Sequence, residues 1–180
     1  LFTVTDQPTT GSPSTGFNIY TIDMNLNGGK GQLIDEDGDG IFFTELQSGD
    51  WTEKVASVKG QECNTYWVVT ANNNQFFSYK IDGNGVNETP VISNVTTEID
   101  YRGYLKISPD GTKLVVANQS VSNAILYNFN NLTGEITNNE TYLIEPFSGD
   151  GEPYGVEFSI DSNKLYISTV SQFRFEGAPP

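Results

Sequence analysis

Gly103-Tyr-Leu-Lys-Ile-Ser-Pro-Asp110, continuing through Gly111-Thr-Lys-Leu-Val-Val-Ala-Asn118 to Ala124-Ile-Leu-Tyr-Asn-Phe129, is the stretch whose reading decides the fold. It holds three short β runs. The first two flank Ser108-Pro-Asp-Gly111, where Pro109 presets φ, Asp110-Gly111 reverses the chain and Lys113-Leu114 opens the next strand. The same order occurs upstream as Glu53-Lys-Val-Ala-Ser-Val-Lys59, Tyr66-Trp-Val-Val-Thr-Ala71 and Phe76-Phe-Ser-Tyr-Lys-Ile-Asp82. It begins again downstream as Gly155-Val-Glu-Phe-Ser-Ile-Asp161 and Lys164-Leu-Tyr-Ile-Ser-Thr169, with Asn163 expected in the left-handed turn position. Trp67, Leu114 and Leu165 are equivalent, spaced by 47 and 51 residues. Four short strands at such a period read as β-propeller blades, and a β-sandwich is the alternative.

Working outward, the expected fold is all-β. Residues 1–50 are a partial first blade with a long acidic loop, 51–100 and 101–150 are blades, and 151–180 is a partial last blade. Residues 18–24 are expected as one strand, 130–139 and 148–152 as loops, and 141–144 and 155–159 as strands. That makes about three and a half blades, whereas closed propellers have roughly four to eight. The expectation is a fragment of one propeller, completed by the remainder of the same ring. The strand-like start at Leu1 suggests a processed or truncated chain.

Composition narrows the function. The 180 residues carry 9 Lys+Arg, 23 Asp+Glu and no histidine, a formal charge of −14. Without histidine there is no Ser-His-Asp or Cys-His machinery and no imidazole metal site. The charge repels phosphate backbones and anionic membranes, so nucleic acid and direct membrane insertion are excluded as expectations, and cations such as calcium are attracted. Aromatics at 12% separate the chain from disordered acidic sequences. The single cysteine, Cys63, is expected as a buried or half-buried small residue.

The segment from Leu33 to Thr169 resembles the propeller region of gliding-motility-associated, type IX-secreted surface proteins of Bacteroidetes. The resemblance rests on Thr52-Glu-Lys-Val-Ala-Ser-Val-Lys59, Cys63-Asn-Thr-Tyr-Trp-Val68, Tyr104-Leu-Lys-Ile-Ser-Pro-Asp-Gly-Thr-Lys-Leu114 and Tyr154-Gly-Val-Glu-Phe-Ser159. Where that family often carries histidine, this chain has Gly60 and Ala71. The resemblance implies export to the extracellular space or outer cell surface.

One local motif points to a ligand. Asp35-Glu-Asp-Gly-Asp-Gly-Ile41 has the alternating carboxylates of an EF-hand-type loop. Asp35, Asp37 and Asp39 would give side-chain oxygens, Ile41 a backbone carbonyl, and Glu45 a further carboxylate one residue before the usual position. The expected ion is a structural Ca2+. The competing reading is a solvated turn, since Asp and Gly are good turn formers. Asn87, Asn94, Asn118, Asn131 and Asn139 head Asn-x-Ser/Thr triplets, expected by chance in an Asn-rich chain. Pairs such as Phe42-Phe43, Tyr66-Trp67 and Phe76-Phe77 serve packing, with sugar stacking as the alternative.

Glu53, Glu157 and Asp110 lie in or near inner-strand segments, but no spacing singles out a catalytic pair. The sequence reading is therefore a non-catalytic binding or structural module, in adhesion or gliding, with a protein or surface glycan as partner. The alternative is a carbohydrate-binding or carbohydrate-processing propeller.

Overall fold

The computed structural model describes residues 1–4, 16–35, 38–144 and 151–171. These are all β apart from one 3-10 turn at Asn27–Gly29. The strands form the separate antiparallel sheets of a β-propeller, and no sheet among the described residues closes on itself. The chain divides into two units, Leu1–Glu53 and Lys54–Pro180.

In the first unit β1 (Phe2–Val4), β2 (Phe17–Ile19) and β5 (Thr44–Gln47) form one sheet in that order. Phe17 is buried at its centre, stacked between Phe2 at 5.7 Å and Trp51 at 6.4 Å. β3 (Ile22–Asp23) and β4 (Gln32–Leu33) form a separate ribbon. The single strand expected over residues 18–24 is thus two. Ile19 pairs with Thr44 in the blade, while Ile22 pairs with Leu33. Both halves favour extended backbone, and only the partner changes between them.

The second unit begins with β6 (Val55–Lys59), β7 (Tyr66–Asn72), β8 (Gln75–Asp82), β9 (Gly85–Val86) and β10 (Val91–Asn94). Their order is β10-β8-β7-β6, with β9 also on β8. The next sheet runs in sequence order through β11 (Leu105–Ile107), β12 (Lys113–Asn118), β13 (Asn123–Phe129) and β14 (Ile136–Ile144). β15 (Gly151–Phe158) and β16 (Leu165–Ser171) pair as the start of another.

The repeat is a repeat of register. Lys59 faces Tyr66, Ile107 faces Leu114 and Phe158 faces Leu165 at the same point of three hairpins, one step out from the turn bonds Gly60–Thr65, Ser108–Lys113 and Ser159–Lys164. The equivalent of Leu114 and Leu165 is therefore Tyr66, and the expected place of Trp67 is off by one residue. β12 shows why its sequence is an unbroken apolar run rather than an alternation: both of its faces are covered. Leu114 and Val116 pack with Trp67, Val69 and Phe76 on one side, and Val115 and Ala117 with Val156 and Phe158 on the other.

The turns repeat as well. Ser108 N–H donates to Lys113 O at 2.9 Å, Lys113 N–H to Ser108 Oγ at 2.9 Å, and Ser108 Oγ–H to Asp110 Oδ1 at 2.6 Å. Ser159, Lys164 and Asp161 make the same three bonds at 2.9, 2.9 and 2.5 Å. Gly111 holds the left-handed position at φ 70°, and its counterpart is Ser162 at φ 60°, not Asn163. Equal loop length fixes the register, so Ser162 must take the strained place despite its Cβ.

Two boundaries depart from expectation. β14 starts inside the expected loop 130–139, because Ile136 is buried and pairs with Phe129. β15 starts at Gly151, inside the expected loop 148–152, and residues 145–150 lie outside the described set. Cys63 is exposed in the β6–β7 turn rather than buried.

Lys54 is fully buried. Its ammonium donates to three backbone carbonyls, Arg102 and Gly103 at 2.7 Å and Ala117 at 2.8 Å. An ammonium has three donors, and three carbonyls ahead of and within the next blade meet them.

Candidate active site

The place where chemistry converges lies between the start of β11 and the β15–β16 hairpin. β15 carries a bulge there. Pro153 pairs with Thr169 and Val156 with Ile167, so Tyr154 and Gly155 together oppose Ser168. The extra residue frees the Gly155 N–H from the ladder, and Ser168 Oγ accepts it at 3.2 Å. A Cβ on Gly155 would lie 2.6 Å from that oxygen, so a larger residue here displaces the Ser168 hydroxyl. The bulge also turns the Tyr154 carbonyl toward the neighbouring blade, where Tyr104 N–H donates to it at 2.8 Å. The two tyrosine rings meet at 5.4 Å, tilted by 51°.

The result is a cleft of about 340 Å³ lined by Tyr104, Gly155, Val156, Glu157, Tyr166, Ile167 and Ser168. Alternation along β11 buries Leu105 and Ile107 and turns Lys106 the other way, where its Nζ meets Glu157 Oε2 at 2.8 Å. Glu157 Oε1 accepts the Phe158 N–H at 3.2 Å. The pair remains reachable by solvent, with the Lys106 and Glu157 side chains 37% and 61% exposed. A carboxylate, an ammonium, a hydroxyl and aromatic rings thus stand together. That set can take a proton from water, hold a developing negative charge and stack on an apolar sugar face.

Of the three inner-strand carboxylates read from the sequence, Glu157 is in the cleft. Asp110 is committed to its turn, accepting from Ser108 Oγ at 2.6 Å and from Thr112 N and Oγ1 at 3.1 and 2.9 Å. Glu53 is an exposed residue ending the first unit. Sequence reasoning missed Lys106, Tyr154, Tyr166 and Ser168. The signal that could have found them is Pro153-Tyr-Gly155, since proline and glycine inside a strand mark a bulge.

In the acidic loop the described carboxylates accept backbone N–H groups. Asp35 Oδ1 accepts the Gly38 N–H at 2.7 Å and its Oδ2 the Gly40 N–H at 2.9 Å. Asp39 Oδ1 accepts the Ile41 N–H at 2.7 Å. Asp37 lies outside the described residues. Among the described residues no three His, Cys, Asp or Glu side chains converge. Asp39, Ile41 and Glu45 do line one cleft together, which Asp35 does not join. Asn118 is fully buried and its amide donates to Asn123 Oδ1, so that triplet has no surface position for a glycan.

Comparison with known proteins places the chain by fold. No family model matches it, and no curated protein sequence matches it. The architecture belongs to the β-propellers, and two solved propellers are similar in structure. One is the periplasmic gluconolactonase of Pseudomonas aeruginosa, at 19% identity and a TM-score of 0.53, matched over 89% of this chain and 45% of that one. The other is a protein of Bacteroides fragilis described as a putative 6-phosphogluconolactonase, at 13% identity and a TM-score of 0.50, matched over 89% of this chain and 43% of that one. The chain therefore spans less than half the length of either. No helix among the described residues is long and apolar enough to cross a membrane.

These neighbours overturn the sequence reading of a non-catalytic binding or adhesion module. That reading took missing histidine as evidence against catalysis. The neighbours carry the names of lactonases, and opening a lactone needs no imidazole where a carboxylate and an ammonium are to hand.

Proposed function

We propose that the protein processes carbohydrate by hydrolysing a sugar lactone in the cleft between β11 and the β15–β16 hairpin. The observation that carries this reading is the Lys106–Glu157 pair at 2.8 Å beside the Tyr104 and Tyr166 rings. The lactonase names of the similar propellers support it. Water adds to the acyl carbon while Glu157 takes its proton. The bond from that carbon to the ring oxygen breaks, and the same proton passes to the departing oxygen to give the hydroxy acid. Lys106 stays protonated and stabilises the oxyanion. The tyrosine rings hold the sugar by its C–H face. An exported location is part of the proposal, supported by the periplasmic neighbour.

The test is acid release from glucono-δ-lactone by the full-length protein. Expected is a rate above spontaneous ring opening that falls about 100-fold in Glu157→Gln. No acceleration, or an undiminished Glu157→Gln variant, overturns the reading. Saturable sugar binding without turnover would leave a carbohydrate-binding propeller in its place.

A further inference from the structure

We propose that the cleft of the first unit binds an organic cation, a protonated amine carried on an apolar frame. This cleft of about 520 Å³ is separate from the Lys106–Glu157 site, and its described lining residues all belong to the first unit. Ile34, Ile41, Phe42 and Phe43 supply apolar wall, and Asp39 and Glu45 are the charged side chains among the described residues of the lining. Ile41 and Phe42 are 51% and 44% exposed, so apolar area stands open to water beside two carboxylates.

The charge decides the sign of the ligand. Lys30 is the one basic residue among the first 53, against nine acids. An anion is repelled. A neutral apolar ligand would strip water from Asp39 and Glu45 and return nothing. A bare divalent ion needs about six to eight oxygen ligands, and among the described residues no three carboxylates converge here. An ammonium on a hydrocarbon or aromatic frame satisfies both halves: the head pairs with the carboxylates, and the body covers Ile41 and the phenylalanine rings, whose faces attract cations.

The test titrates the full-length protein with phenethylamine and, in parallel, with hydrocinnamate, its carboxylate counterpart, following amide NMR shifts. Expected is saturable binding of the amine, confined to residues around Ile34 and Ile41–Glu45, with no saturation by hydrocinnamate. Glu45→Gln and Asp39→Asn should each weaken the amine about threefold, and Phe42→Ala should weaken it too. Should a variant not fold, the salt dependence of the unaltered protein stands in: added salt must weaken binding. Equal binding of both probes reveals an apolar groove without charge selection and overturns the proposal. So does saturation of the same shifts by calcium with exclusion of the amine, or no saturation by the amine.

Discussion

The Lys54 ammonium and the Gly103 carbonyl meet at 2.7 Å in a fully buried setting, joining the segment before β6 to the segment before β11. Gly103 sits at φ 101°, and a Cβ there would come within 2.5 Å of Ala117 O, another acceptor of the same ammonium. Lys54→Met removes the donor that three carbonyls share, and Arg102 O keeps the Gln119 N–H at 3.5 Å. The expected loss is about 3 kcal/mol in urea unfolding. Gly103→Ala should also destabilise, through strain and through displacement of Ala117 O. An unchanged unfolding midpoint in Lys54→Met would show that the three bonds contribute nothing net.

Tyr127 is buried, packs edge-on against Phe76 at 5.1 Å, and its hydroxyl finds no hydrogen-bond partner among the described residues. Tyr127→Phe should therefore raise stability by about 1 kcal/mol. Burial also pushes the phenol up from 10.0 to about 12. The folded state holds that proton more tightly than the unfolded one. Its contribution is full below pH 10 and is lost as pH rises toward about 12. Thermal melts across that window should fall less steeply in Tyr127→Phe.

Asp110 governs the acid side. Burial raises its pKa, but hydrogen bonds from Ser108, Thr112 and Ser162 outweigh burial and hold the carboxyl below 3.8. A depressed folded pKa stabilises the protein above the unfolded value and ceases to do so as pH falls through the folded one. Stability should drop below pH 3.8, and Asp110→Asn should flatten that drop. Asp161, held low first by the Ser159 hydroxyl, is fully solvent-facing and should matter less.

At the cleft, Lys106→Met should lower kcat for lactone opening about 100-fold through loss of the charge facing the oxyanion. Tyr166→Ala should raise KM with kcat little changed, because ring stacking holds substrate and transition state alike. A Tyr166→Ala variant that lost kcat alone would assign that ring to the chemical step instead.

The blade pattern was legible because strand, turn and strand are local. The equivalence of Leu114 and Leu165 needs only hydrophobic alternation and a turn of fixed length, and it appears as equivalent cross-strand pairs. In the first hairpin the apolar bulk of Trp67 drew the alignment one residue past Tyr66, which holds the equivalent place. The place of Ser162 was missed because residue preference favoured Asn163 while loop length dictated otherwise. Lys54 was illegible as a buried residue: a lysine reads as surface, and its acceptors are backbone groups about fifty residues away that carry no side-chain signature. The cleft was half legible. Glu157 was named for its inner strand, but its meeting with Lys106 depends on where two blades pass each other, and the Tyr154–Gly155 bulge that shapes the site interrupts the repeat.

The recurring Ser-x-Asp turns have a kinetic consequence. The Asp110 N–H donates to Ser162 Oγ at 3.1 Å, so the first of these turns leans on the second, yet the bonds that define each turn span at most five residues. Closing so small a loop costs little entropy. Each hairpin can therefore zip before its neighbour exists, and a chain emerging from the ribosome meets its nucleation points in the order in which the blades must stack.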